Sequence, residues 1–74
     1  MSSEKMQAAN DNHLPRLMAP KEAAAATSLS RPLLSLMSEA GQFPKPVQLG
    51  ERRIAYVRAE VEAWIDEKIA ARAA

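Results

Sequence analysis

The stretch from Ser30 to Gly41, SRPLLSLMSEAG, carries both ends of a helix in its own chemistry. Ser30 can offer its hydroxyl to the unpartnered amides of a first turn, and Pro32 falls early enough that its missing N–H removes no helical bond. Gly41 suits the left-handed position that closes a helix, and Phe43-Pro44 blocks any continuation. The spacing predicts a helix of about three turns. Just ahead, Pro20 to about Thr27 predicts a second helix, with proline at its first position and small side chains from Ala23 to Ala26. Thr27-Ser28-Leu29-Ser30 is short enough to join the two as a helix-turn-helix, whose second helix is the one that enters DNA.

A chain of 74 residues holds one small domain with a modest core, near the limit of independent stability. With no cysteine, it has no disulfide framework, thiolate metal site or cysteine nucleophile. His13 stands alone, and the chain shows no paired histidine and carboxylate, Gly-rich phosphate loop or metal-ligand spacing. The expectation is therefore a non-enzyme without cofactor or metal. Apolar runs are far shorter than a membrane span, and MSSEKMQAAND lacks the apolar core of a signal peptide, so a cytoplasmic location is expected. Residues 1–13 are polar and aperiodic and are expected to be disordered, leaving 14–74 as the domain.

Net charge is only +1, but it is unevenly spread. From Leu14 to Arg58 the bases Arg16, Lys21, Arg31, Lys45, Arg52, Arg53 and Arg58 outnumber the acids Glu22, Glu39 and Glu51. After Arg58 the balance reverses, with Glu60, Glu62, Asp66 and Glu67 against Lys68 and Arg72. This arrangement allows a basic face and a separate acidic face.

In chain order, Leu14-Pro15-Arg16-Leu17-Met18 suits an extended edge segment that covers a sheet. The first helix supports, and can meet a phosphate through its N-terminus or Lys21. In the second helix Leu34 and Met37 share a buried face with Leu29, while Leu33 and Leu36 lie on other faces, as extra core, a protein contact or a DNA contact. Ser30, Arg31, Ser35 and Ser38 are the polar candidates for nucleic acid. Arg31 has the reach for a guanine edge or a phosphate, and Ser35 and the leucines for a thymine methyl or the backbone.

Gln42-Phe43-Pro44-Lys45-Pro46 is too stiff and donor-poor for a helix or a central strand. Val47-Gln48-Leu49, a turn at Gly50-Glu51-Arg52, and Arg53-Ile54-Ala55-Tyr56 then predict a hairpin with Val47, Leu49, Ile54 and Tyr56 turned inward. With Arg52 and Arg53 at its tip and Lys45 at its base, such a hairpin is a wing that reaches phosphates or a minor groove. The last helix, about Arg58 to Ala73, carries the stripe Val57, Val61, Trp64, Ile65 and Ile69, with Trp64 read as the core anchor. The fold class is thus mainly α with a small β-hairpin, a winged helix-turn-helix of three helices and a two-stranded wing.

The residues Leu29-Ser30-Arg31, Gly41-Gln42-Phe43-Pro44-Lys45-Pro46-Val47-Gln48-Leu49-Gly50, Arg53-Ile54-Ala55-Tyr56 and Glu60-Val61-Glu62-Ala63-Trp64-Ile65 together resemble the AlpA family of small phage-type regulators. These are relatives of the excisionases and of the DNA-binding domain of MerR-type regulators. The resemblance covers about Leu14 to Arg72. It implies a winged helix-turn-helix on double-stranded DNA, acting as a transcriptional regulator or as a recombination directionality factor that turns an integrase toward excision. The partners it implies are DNA, further copies of the chain on DNA, and an integrase or RNA polymerase. With no effector domain after Arg72, a small-molecule ligand is not expected. Where the family usually follows Ser-Arg with Ser/Thr-Thr-Ile-Tyr-Arg, this chain has Pro32-Leu33-Leu34-Ser35-Leu36. Leu34 keeps the core position, and readout by this helix is expected to be weaker or apolar, with more of the binding falling on the wing and on neighbouring subunits.

Overall fold

The computed structural model describes residues 14–72, so the tail expected to be disordered lies outside it. Strand β1 (Leu17–Met18) leads into helix α1 (Pro20–Thr27) and helix α2 (Arg31–Glu39). Strands β2 (Val47–Gly50) and β3 (Arg53–Val57) follow, and helix α3 (Arg58–Ala71) closes the chain. The three strands form one antiparallel sheet in the order β1, β3, β2. Three helices and a small sheet in this order make the winged helix-turn-helix architecture expected from sequence, with β1 added at the sheet edge.

Both ends of α2 work as their chemistry requires. The Ser30 hydroxyl accepts from the Leu33 amide at 3.2 Å, and Pro32 sits in the first turn. At the other end Gly41 has φ +79°. Its amide donates to Ser38 at 3.1 Å while that of Gln42 donates to Met37 at 2.7 Å, the paired bonds of a Schellman closure. Between the helices Ser28 takes the left-handed conformation at φ 63°. Thr27 steadies this turn: its hydroxyl donates to the Ala23 carbonyl at 2.9 Å and accepts from the Leu29 amide at 3.3 Å.

Met18, Ala23, Leu34, Phe43, Tyr56 and Val61 form the core, with Leu29, Met37, Trp64 and Ile65 packed around it. Helix α1 packs on α2 and on β3, and α3 packs on β3. Phe43, placed by sequence only as part of a helix stop, is at the centre of the aromatic packing. Its ring meets Tyr56 edge-on at 5.4 Å and Trp64 edge-on at 4.9 Å.

Two parts of the expected core are corrected. Val47 and Leu49 do not face inward; they are 37% and 52% exposed. The register explains Val47: it pairs with Ala55, so it lies on the sheet face opposite Ile54 and Tyr56. A register shift between Gln48 and Gly50 then leaves Leu49 in an irregular position. In α3 the packed stripe stops at Ile65, and Ile69 is 52% exposed. Trp64 is half-buried at the margin of the core, whereas the largest fully buried side chains are Tyr56, Leu34 and Val61.

Candidate nucleic-acid interface

Helix α2 exposes the face turned away from Leu34. Leu36 follows Leu34 by two residues, about 200° around the helix axis, and is 64% exposed. Arg31, Pro32, Leu33 and Ser35 are exposed as well. Apart from its capping bond to the Leu33 amide, Ser30 is exposed at the start of this surface. Ser38, one of the polar candidates, is instead buried, and its hydroxyl donates to the Pro44 carbonyl at 2.9 Å.

The hairpin carries Arg52 in its turn and Arg53 at the start of β3, both exposed. The Gln48 side-chain amide donates to the Gly50 carbonyl and braces that turn. Lys21 is exposed in the first turn of α1. Among the described residues none of Arg31, Arg52, Arg53 and Lys21 is engaged in an ion pair.

Two of the sequence-derived candidates are engaged within the fold. The Lys45 ammonium donates to the Ser38 carbonyl at 3.1 Å, so it sits against the C-terminal end of α2, where a cation is favoured. Arg58 is held more firmly. Its side chain is 12% exposed, its Nε donates to the Pro15 carbonyl at 2.5 Å, and its Nη2 meets the Glu22 carboxylate at 2.5 Å. The arrangement gives Arg58 a structural task, joining α3, α1 and the segment before β1. Sequence reasoning counted it as one more base, because no local signal marks a partner in another element.

Among the described residues no group of histidines, cysteines and carboxylates is placed to hold a metal, and no helix is long and apolar enough to cross a membrane. The candidate site is an exposed, partly apolar helix face together with an arginine-bearing hairpin. No curated protein matches the chain. Residues 10–69 match the family model described as Prophage CP4-57 regulatory protein (AlpA), and they include both helices of the helix-turn-helix, the hairpin and most of α3. The chain belongs to this family of prophage regulatory proteins.

Proposed function

We propose that this protein binds double-stranded DNA sequence-specifically, with α2 in the major groove and the hairpin along the flanking backbone or minor groove. The observation that carries the proposal is the exposed face of α2 with Arg31 at its start, in a chain that also exposes Arg52 and Arg53 on its hairpin. Phosphate contacts from the arginines and Lys21 set position, while Leu33, Ser35 and Leu36 meet base edges. Ser30 approaches the backbone beside its own cap. Lys45 and Arg58 support the surface through the bonds they make within the fold.

Membership of a prophage regulatory family supports a role in control of phage genes. We assign it to transcriptional regulation, to excision as a recombination directionality factor, or to both. Either role needs the same things of the protein: to grip DNA and to recruit an integrase or RNA polymerase. A monomer with three or four phosphate contacts binds weakly, so copies on clustered sites would act together. With that number of contacts, log affinity falls against log salt with a slope of about −3 per bound copy.

A mobility-shift titration at several salt concentrations tests this, on DNA flanking the gene and the phage attachment site. No shift on either DNA at low salt would remove the proposal. A second reading takes its support from the 64% exposure of Leu36: Leu33 and Leu36 would bind a protein, and DNA would not be touched. Under that reading, replacing Arg31, Arg52 and Arg53 with alanine leaves activity intact and Leu36→Glu abolishes it. DNA binding predicts loss from the arginine changes.

A further inference from the structure

A second surface is formed where α3 passes the turn after α2. An open hollow of about 800 Å³ lies there, with Met37, Phe43, Pro44 and Trp64 among its apolar lining. Glu60, Glu67 and Lys68 supply its charges. Glu60, Ala63, Trp64 and Glu67 follow the spacing of one helical stripe, so the two carboxylates bracket the indole from successive turns. Ala63 adds only a methyl group between them.

The chemistry of this hollow selects its occupant. Neither Glu60 nor Glu67 is ion-paired among the described residues, and both are exposed. The indole nitrogen is already committed, donating to the Gln42 carbonyl at 2.8 Å, which leaves the ring face as the binding element. That face already attracts a cation: the Lys68 ammonium lies 5.3 Å from the ring centroid. With two carboxylates against one ammonium, the hollow disfavours phosphate, unlike the arginine-bearing surface proposed above to contact DNA.

Glu60 and Glu67 are seven residues apart, so their backbone positions lie about 10 Å from each other along the helix axis. In a polyproline-II segment, residues three apart lie on the same edge about 9 Å from each other. Segments of that kind dock in aromatic-lined grooves, where a proline ring packs flat on an indole. We propose that this hollow is a docking site for an extended basic segment of a partner protein, with two basic residues three positions apart and a proline or other apolar residue between them. The bases meet Glu60 and Glu67, the intervening residue covers Trp64, and Lys68 is displaced from the ring.

Trp64 is the chain's single tryptophan, so its emission reports this surface alone. The probe is a blocked Gly-Arg-Pro-Leu-Arg-Gly peptide, compared with Gly-Arg-Arg-Pro-Leu-Gly, which has the same composition and adjacent arginines. A saturable change in emission is expected with the first peptide and several-fold weaker binding with the second. The doubly substituted Glu60→Gln, Glu67→Gln protein should bind about tenfold more weakly, since each exposed pair contributes modestly. Lys68→Ala, which removes the competing cation, should bind more tightly. All three positions are exposed, and a thermal melt of each variant confirms its fold. Absence of a saturable change, equal binding of the two peptides, or undiminished binding by the double variant would overturn the proposal.

Discussion

The guanidinium of Arg58 and the carboxylate of Glu22 meet at 2.5 Å, tying the first residue of α3 to the first turn of α1. The same side chain donates to the Pro15 carbonyl, and the Arg58 amide donates to the Arg16 carbonyl at 2.8 Å. These bonds hold the entry to β1 against the end of β3, where Leu17 pairs with Val57. Arg58→Ala should cost about 1–2 kcal/mol, below the upper range for charged hydrogen bonds because Glu22 is about half exposed. In a domain this small that is a fall in Tm of several degrees, readable by thermal denaturation. Arg58→Lys should recover less than half of the loss, because an ammonium lacks the planar fork that serves both acceptors. An unchanged Tm in Arg58→Ala would refute this account.

Trp64 contributes through its edge contact with Phe43 and its bond to the Gln42 carbonyl. Trp64→Phe keeps an aromatic ring and removes the N–H donor, so the expected loss is about 1–2 kcal/mol. Trp64→Ala removes both contacts and should cost more. It should stay below the ~5 kcal/mol upper figure for a fully buried tryptophan, since this one is half-buried. Chemical denaturation of the two variants separates the hydrogen bond from the packing.

Gly41 isolates a backbone effect. A methyl group added there would meet nothing within 4 Å, so Gly41→Ala should be penalised only by its φ of +79°. The expected loss is about 1 kcal/mol. Gly41→Asn, which tolerates the left-handed region better, should lose less. A larger loss for asparagine than for alanine in equilibrium unfolding would show that the closure of α2 rests on something other than this angle.

Legibility followed the range of the interactions. The ends of α2 were readable because Ser30, Pro32 and Gly41 act on amides a few positions away. The extent of α1 was readable for the same reason. The inward face of the hairpin was not, since alternation along β2 cannot reveal that Val47 pairs with Ala55 and so faces away from Tyr56. Arg58 was read as a base for DNA and its structural role was not legible, because its partners, Pro15 and Glu22, come from distant parts of the chain. Phe43 stands just ahead of Pro44 and Pro46 in a loop, and nothing local shows that it receives both Tyr56 and Trp64.

The proposed DNA contacts make a separation possible between bases that touch phosphate and bases that hold the fold. Arg52→Ala and Arg53→Ala should each weaken binding across sequences and reduce the salt slope by about one. Their effect on Tm should be small, because both are exposed and without an ion pair among the described residues. Arg58→Ala should do the reverse, lowering Tm while leaving the slope unchanged where the protein remains folded. Binding measured by fluorescence anisotropy at several salt concentrations distinguishes the two groups. Equal slopes in all three variants would contradict the assignment of the hairpin as a phosphate contact.

Leu36 decides how an apolar recognition helix can read sequence. Its side chain points away from the core at 64% exposure, and Leu33 beside it is 41% exposed. Leucine offers no hydrogen bond, so the base-edge feature it can recognise in the major groove is the thymine methyl group. Replacing thymine by uracil in the target removes that methyl and nothing else. Each methyl buried against these leucines is worth about 0.8 kcal/mol, so each substituted contact should weaken binding about three- to fourfold. Leu36→Ala should bind the thymine target more weakly and lose most of its preference for thymine over uracil. Arg31→Ala should bind both targets more weakly and keep that preference. If the unaltered protein binds uracil and thymine targets equally, the leucines do not face the bases, and Leu36 is then free to serve a protein contact instead.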